Sequence, residues 1–202
     1  MWLILFLVNL LFPYLNSKAE RKILSWEKEF NVKILVGTPS KSRLGVFIPK
    51  QFGQHLVKIN NNLNKYSFLI TLIHEMAHAS IWNKYGRRVR PHGSEWKEEF
   101  QKMILPFLNP EFFPEDVLRS LSSHMISPKA STVRDISLSE ILRKYDEEKI
   151  VTISQLKNGD CFKIYDGKSF ERIEKLRKNY KCKEISSGKL YRFSPLAEVF
   201  PL

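Results

Sequence analysis

The sequence has little cysteine, which removes two classes of small protein from consideration. Cys161 and Cys182 are its two cysteines in 202 residues, and neither belongs to a CxxC pair. A zinc ribbon or a disulfide framework needs more cysteines at closer spacing, so both are excluded. We expect two reduced, buried thiols in a cytoplasmic protein, and a single bridge is the alternative.

The sequence also lacks an apolar run long enough to cross a bilayer. Its first 15 residues, MWLILFLVNLLFPYL, are largely apolar, whereas a membrane-spanning helix needs about 20. No basic residue precedes this run, no small-x-small cleavage site follows it, and Pro13 would interrupt a continuous helix. We therefore expect a helix or strap that packs onto the body of the protein. A membrane anchor formed by this segment is the alternative.

Acidic residues are few relative to basic ones. The chain has 21 Asp and Glu against 33 Lys and Arg, with a formal net charge of +12 and a pI near 9.7. Such an excess favours anionic partners, nucleic acid first and a membrane surface second, and a merely basic soluble protein is the alternative. With 43% hydrophobic and 27% charged residues, the composition is that of a soluble protein with a sizeable core.

Hydrophobic periodicity predicts an α+β domain over residues 1–148. A helix, a small three-stranded sheet, a long helix and further helices are expected in that order. The first five segments are Ser17–Phe30, Val32–Gly37, Leu44–Pro49, His55–Asn60 and about Tyr66–Lys84. Ser94 is a plausible cap for the next helix, and Ser137 with Glu140 forms a capping box for a later one.

Residues 149–202 differ in sequence pattern from the rest of the chain, and their pattern predicts a small, basic, all-β module. Alternating segments are separated by the turn signals Asp166-Gly167 and Ser187-Gly188. Six aromatic residues are interleaved with the basic ones, and they are Phe162, Tyr165, Phe170, Tyr180, Tyr191 and Phe193. Basic strands with exposed aromatics can follow a phosphate backbone and stack on unpaired bases. A core made of the same aromatics is the alternative.

The stretch HEMAH within the long helix indicates a metal centre. Positions 74 and 78 of a helix lie about 40° apart and one turn along, so His74 and His78 can bind one ion. Glu75 lies beside them, where it can take a proton from water and deliver it to a leaving amine. Zinc suits this site, because it accepts neutral nitrogen ligands and makes bound water more acidic. A mutually satisfied histidine and glutamate core cluster is the alternative.

A catalytic zinc needs a third protein ligand. His92 in RPHGSEW follows His78 after 13 residues, and Gly93 next to it would let the backbone fold back toward the helix. Glu95 is the rival, by analogy with zinc enzymes whose third ligand is a glutamate on the next helix. His55 and His124 are expected to be surface or core residues instead.

The segment HEMAHASIWNKYGRRVRPHGSEWKEEF resembles the SprT-like family of zinc metalloproteases, which includes a DNA-dependent protease of DNA–protein crosslinks. The shared pattern is HExxH, a spacer of similar length and H-G-x-x-[FW], and SRLG (Ser42 to Gly45) is similar to an upstream Arg-x-Gly stretch. The resemblance covers roughly residues 15–125. It implies a zincin-like fold, a single Zn²⁺ bound by His74, His78 and His92, and Glu75 as the catalytic base.

The carboxyl-terminal part departs from well-known members, because a β module stands where many carry a cysteine-rich zinc ribbon. It is similar to a bacterial branch of the family.

Possible contacts to nucleic acid or substrate are Arg87, Arg88 and Arg90 in the loop after the long helix and Lys181, Lys183 and Arg192 in the module. Tyr85 or an arginine of that loop is a candidate stabiliser of the oxyanion.

The leading hypothesis is therefore a zinc-dependent endopeptidase that cleaves proteins on or near DNA, possibly single-stranded, in crosslink repair or a stress response. The alternative is a nucleic-acid-binding stress or transcription-related factor with little or no protease activity. A third hypothesis is a membrane-associated zinc protease, which rests on the apolar amino terminus.

Overall fold

The computed structural model describes residues 11, 13–40, 43–129 and 135–202. These form two compact units, with the boundary between Asp146 and Glu147. Within the described residues, no helix is both long and apolar enough to cross a membrane. Residues 1–10 of the predicted strap lie outside the described residues, as does Ser42. The described end of the strap packs onto the core, where Leu11 and Leu15 are buried and Tyr14 stacks on Phe68 with ring centroids 4.1 Å apart.

The first helix, α1, spans Ser17–Glu29. It begins where the side chain of Asn16 accepts a hydrogen bond from the backbone N–H of Ala19 at 2.8 Å, which satisfies one of the free donors at the helix start. Ala19, Ile23 and Trp26 are its buried residues. Their spacing of four and three positions places them on one face, which packs on the core.

A three-stranded mixed sheet follows, as predicted. Its strands are β1 (Val32–Gly37), β2 (Gly45–Ile48) and β3 (His55–Asn60), in the order β1-β3-β2. Strand β3 pairs parallel with β1 and antiparallel with β2. Strand β2 therefore forms one edge of the sheet.

Helix α2 (Lys65–Tyr85) is the central element of the first unit. Asn64 caps it by accepting bonds from the N–H groups of Tyr66 and Ser67. The buried residues run without a break from Ser67 to Ala77. A helix buried on all sides needs neighbours on all sides, and α2 packs against β2, β3 and the following helix. It ends at Gly86, whose φ of 59° suits a residue without a Cβ.

Three shorter α-helices follow in the described part of the first unit: α3 (Ser94–Ile104), α4 (Glu115–Ile126) and α5 (Ile136–Arg143). Two predicted caps are wrong. Gly93, not Ser94, is the N-cap residue of α3, and Ser94 is already helical. The N-cap of α5 is Asp135, whose carboxylate accepts from the N–H of Leu138 at 3.3 Å. The same carboxylate also bonds to His124.

The second unit contains an antiparallel five-stranded sheet in the order β7-β6-β5-β4-β8. Its strands are β4 (Cys161–Lys163), β5 (Ser169–Lys175), β6 (Tyr180–Glu184), β7 (Leu190–Phe193) and β8 (Phe200–Pro201). Gly167 and Gly188 have φ values of 85° and 69° in two of the hairpin turns, where the sequence predicted them.

Most of the interleaved aromatics belong to the core of this unit. Phe162, Phe170 and Tyr180 are buried, and Phe193 packs against them. These four rings are therefore not available to stack on nucleic-acid bases, which corrects that part of the expectation. Tyr165 remains 76% exposed and Tyr191 37% exposed.

Candidate active site

Helix α2 presents His74 and His78 one turn apart on the same face. Both rings face the start of α3, and their centroids lie 5.1 Å from each other. Glu75 occupies the next position around the helix and is 7% exposed. The surrounding helix is apolar and buried, which holds the two imidazoles in fixed orientations.

His92 reaches the same point from the loop between α2 and α3. Its backbone has a φ of 59°, in the left-handed region that non-glycine residues seldom adopt. The sequence-based reason for Gly93 was therefore wrong, because His92 itself makes the turn and Gly93 has a φ of −70°. Gly93 is needed for space, since a Cβ there would lie 3.0 Å from the carbonyl oxygen of Arg90.

The three imidazoles converge through their Nε2 atoms. The Nε2 of His92 lies 3.0 Å from that of His78 and 3.2 Å from that of His74. Two nitrogens that bind one zinc ion tetrahedrally at about 2.05 Å are about 3.3 Å apart. The observed spacing is close to this value, and His74, His78 and His92 form a group that can hold a metal ion.

Burial favours the neutral form of the two imidazoles on α2. Desolvation, followed by the charges of His78 and His92, lowers the pKa of His74 well below its ordinary value. Desolvation and the neighbouring His92 lower the pKa of His78 to about 3. A neutral imidazole has a free lone pair, so the donor set suits a divalent cation that prefers nitrogen ligands.

Glu75 is oriented by the edge strand. Burial raises the pKa of its carboxyl to about 7, and a hydrogen bond from the backbone N–H of Phe47 and the charge of Arg43 partly oppose this effect. A carboxyl group with a pKa near neutrality can accept and release a proton under physiological conditions. Because Phe47 lies on β2, the same bond ties the carboxylate to the sheet.

Trp96 covers the far side of the histidine cluster. It is fully buried, and its ring centroid lies 4.5, 5.2 and 4.7 Å from those of His74, His78 and His92. Phe100, one turn further along α3, stacks on Trp96 at 5.0 Å. The tryptophan of the HGSEW stretch thus forms an apolar wall that excludes water from the back of the three rings.

A clamp between α2 and α3 fixes the distance between these elements. Glu99 accepts a hydrogen bond from Ser80 Oγ at 2.5 Å and forms an ion pair with Lys84 at 2.7 Å. Both partners lie on α2, beyond His78. The clamp holds α3, and hence Trp96, against the histidine-bearing face.

An open cavity of about 600 Å³ lies in front of the histidines. Its walls are β2 with the residues before it, α2 from Thr71 to Trp82, and the loop that carries His92. Besides the histidines and Glu75, the lining residues include Arg43, Gly45, Phe47, Ile81, Trp82, Arg87, Val89 and Arg90. Arg43 was missed as a site residue in the sequence, although the SRLG stretch that contains it was noticed.

The other predicted residues of this region lie in different places. Arg87 and Arg90 line the cavity, whereas Arg88 and the 42% exposed Tyr85 are not among the described residues that line it. Glu95 stands in the first turn of α3, where its carboxylate accepts from Ser94 Oγ at 3.2 Å. It is not part of the histidine group.

The two remaining histidines are buried away from that group. His55 Nδ1 accepts from the N–H of Lys50, and its Nε2 lies 3.1 Å from Asn83 Oδ1. His124 Nδ1 lies 2.9 Å from the carboxylate of Asp135. Both have core environments, as expected.

The basic residues predicted in the second unit share one face of its sheet. Lys181 stands directly opposite Arg192 in the β6–β7 pair, and Lys183 lies two positions along β6, where side chains return to the same face. Lys181 also pairs with Glu174 at 3.0 Å. The pattern therefore places three cations together, one of them partly neutralised.

A model of the SprT-like family matches residues 9–110, just over half of the chain. The chain belongs to the SprT-like family. The SprT-like match includes α1, the three-stranded sheet, α2, the three histidines and the whole of α3, which confirms the resemblance seen in the sequence. Membership of the SprT-like family indicates a metalloprotease-type function. No curated protein and no solved structure matches the chain significantly.

Proposed function

We propose that this protein is a zinc-dependent endopeptidase with Glu75 as its general base. The observation that supports the proposal best is the convergence of three imidazole Nε2 atoms, at 3.0 and 3.2 Å, beside a buried carboxyl group in an open cavity. His74, His78 and His92 would hold one Zn²⁺. A fourth coordination position would then remain for water or substrate, as in catalytic rather than structural zinc sites.

The residues of the chain have separate tasks in this mechanism. A bound zinc ion supplies Lewis acidity toward the scissile carbonyl and toward water. Glu75 accepts a proton from the attacking water at its carboxylate and donates it to the nitrogen of the leaving amine. The N–H of Phe47 holds that carboxylate in place, and Trp96 keeps the three imidazoles fixed. No covalent bond to the protein forms.

The edge strand β2 supports binding of an extended peptide. In the β2–β3 pair, Val46 lies opposite Lys58 and Ile48 opposite Leu56, and alternate residues of an antiparallel strand direct their backbone groups to the partner. The N–H of Asn60 on β3 donates to the carbonyl oxygen of Leu44 at 2.9 Å, so Leu44 and every second residue after it face β3. Gly45 and Phe47 therefore belong to the set that faces away from β3. A substrate strand can add to this edge.

The test of this proposal combines metal analysis with proteolysis. Wild-type protein should contain one zinc per chain and cleave an unfolded protein such as casein. Glu75→Gln should keep the zinc and lose at least about 100-fold in rate, the minimum expected for loss of a general base. A Glu75→Gln variant with zinc bound and undiminished cleavage would exclude the mechanism.

We further propose that the substrates are proteins on or near DNA, as in crosslink repair or a stress response, and that the protein acts in the cytoplasm. The net charge of +12 supports this, and so does the Lys181–Arg192 pair. Like charges directly opposite each other destabilise a sheet, and an external anion such as a phosphate backbone would relieve that repulsion.

Filter binding to a single-stranded oligonucleotide over a series of salt concentrations tests the nucleic-acid part. Lys181→Gln and Arg192→Gln should each reduce the slope of log affinity against log salt by about 1. Lys157→Gln, at an exposed position before β4, is the matched control. Unchanged slopes in the first two variants would remove these residues from the interface.

The second candidate function is a nucleic-acid-binding stress or transcription-related factor with little or no protease activity. The same Lys181–Arg192 pair favours it, because that pair lies in the second unit, outside the family match. DNA binding without cleavage, in protein that holds a full equivalent of zinc and is assayed with and without DNA, would support this alternative.

A further inference from the structure

The cavity in front of the histidines is bordered by cations. Arg43, Arg87 and Arg90 line it, and among its described lining residues Glu75 is the one carboxylate. No carboxylate of the described residues forms an ion pair with any of these three guanidinium groups. The charge of Arg43 also acts on Glu75, but none of the three guanidinium groups is held in a close ion pair. Positive charge at the rim can therefore attract a ligand, because a cleft of one sign concentrates charge of the other.

Two of these arginines come from segments at opposite ends of the cavity wall. Arg43 comes just before Gly45, and a Cβ at Gly45 would touch Thr71 and Glu75 on α2. The guanidinium carbon of Arg87 lies 6.0 Å from the ring centroid of Trp82, also on α2. Trp82 lies seven positions after Glu75 and eleven after Thr71, which is about 10–16 Å along a helix. An extended peptide covers that distance with about three to five residues.

Between these two ends the wall is apolar. Phe47 and Trp82 have ring centroids 6.4 Å apart, and Ile81 and Val89 line the cavity beside them. A bulky aliphatic or aromatic side chain can bury its surface there, whereas a charged side chain would lose its hydration without gaining a partner.

We propose that this cavity selects an extended peptide with a bulky apolar side chain between two acidic ones, about four positions apart. The inference rests on the proposed function, because it assigns the substrate class of the same site. Arg43 and Arg87 each contact one acidic side chain, while the segment between them lies along the free edge of β2 and places its apolar residue against Phe47 and Trp82. Arg43 and Arg87 are thus specificity-determining residues.

The test measures binding separately from cleavage. Zinc-loaded Glu75→Gln protein is titrated with a fluorescent peptide, Gly-Glu-Ala-Phe-Ala-Glu-Gly, and with matched peptides in which Gln or Lys replaces both Glu. We expect the Glu peptide to bind at least about 10-fold more tightly than the Gln peptide, and the Lys peptide to bind most weakly. Equal affinities, or a preference for Lys, would overturn the proposal.

Three arginine variants locate the source of the preference. Arg43→Gln and Arg87→Gln, each in the Glu75→Gln background, should each reduce the ratio of Glu to Gln peptide affinity by about 3-fold or more. Arg88→Gln is the matched control, because Arg88 is exposed and not among the lining residues. A ratio that falls equally in all three variants would show a general charge effect and overturn the assignment.

Two further measurements separate the alternatives. If a single-stranded oligonucleotide displaces the labelled Glu peptide competitively, the anion that the cavity takes is nucleic acid and the proposal fails. Cleavage of the same peptides by wild-type protein reports on the proposed function. If the binding preference is retained but no peptide is cleaved, the endopeptidase proposal is rejected and the inferred substrate class stands. If the peptides are cleaved without any preference, the inferred substrate class is rejected and the endopeptidase proposal stands.

Discussion

Gly45 lies so close to Glu75 that a Cβ on the glycine would stand 3.1 Å from Cγ of the glutamate. The same Cβ would come within 2.8 Å of Thr71 Cγ2 and 2.9 Å of Ile59 Cδ1. Only a residue without a side chain lets β2 approach α2 this closely. The bond from Phe47 to Glu75 depends on that approach.

Gly45→Ala should therefore displace β2 and release the Glu75 carboxylate from its orientation. We expect proteolysis to fall at least about 10-fold and the free energy of unfolding to fall by about 1–3 kcal/mol, the usual cost of overpacking. Zinc content should stay at one per chain, because the histidines are not touched. Gly37→Ala is the control, since nothing lies within 4 Å of a Cβ there. Wild-type activity in Gly45→Ala would show that β2 does not orient the base.

His92→Ala should weaken zinc binding by at least about 100-fold, because two remaining nitrogens hold the ion far less well than three. Competition with a chromophoric chelator measures the affinity. His55→Gln is the comparison, since His55 is also buried but bonds to Lys50 and Asn83, and it should lower stability without changing zinc affinity. Tight zinc binding by His92→Ala would assign the third ligand to another residue, with Glu95 the first to test.

Trp96→Leu should affect both stability and the metal. Loss of the buried ring should cost about 3 kcal/mol of unfolding free energy, and loosening of the three imidazoles should weaken zinc binding by about 10-fold. Trp26→Leu is a matched control, because Trp26 is 6% exposed and packs on Phe107 instead. It should cost similar stability and leave zinc affinity unchanged. If both variants behave alike toward zinc, Trp96 does not position the ligands.

The metal-free protein should show an unusual dependence of stability on pH. Burial raises the pKa of Glu75 from 4.5 to about 7, so the folded state binds its proton more tightly than the unfolded state. The contribution of Glu75 to stability is fully present below pH 4.5 and is lost as the pH rises through 7. In the presence of a chelator, Glu75→Gln should be more stable than wild type at pH 8, by about 3 kcal/mol at most, and the advantage should vanish near pH 4.5.

Urea unfolding at several pH values measures this difference. Glu29→Gln, at the exposed end of α1, serves as the control for removal of one carboxylate. Parallel curves for wild type and Glu75→Gln would contradict the raised pKa.

Much of the first unit was predictable, because long apolar runs and short β-rich segments determine the elements that bury them. The three strands and α2 lie where the pattern placed them, and the helical spacing alone brings His74 and His78 together. The meeting of these residues with His92 was expected from its spacing after His78 and from the resemblance. Its cause, the left-handed backbone of His92, has no signature in composition or periodicity.

Other features depended on tertiary contacts that local sequence does not record. Asp135 caps α5 in place of the predicted Ser137–Glu140 box, since its carboxylate is already held by His124 and Lys129. The aromatic residues of the second unit alternate along its strands. The same alternation is expected of a core and of a surface that stacks on bases, so the pattern alone could not predict which of these residues are buried. Arg43 could be recognised as a cavity residue only from the packing of β2 beside α2.

The clamp of Glu99 on Ser80 and Lys84 changes how a search motif for such proteins should be written. It sets the distance between the two helices independently of the loop that connects them. His92 stands two residues before the start of α3 and four before Trp96, so its position is determined by α3 rather than by the number of residues after His78. Insertions between Gly86 and Arg90 should not change the positions of the three imidazoles relative to one another. A diagnostic pattern should thus keep the His92–Trp96 interval strict and let the spacer after HExxH vary in length.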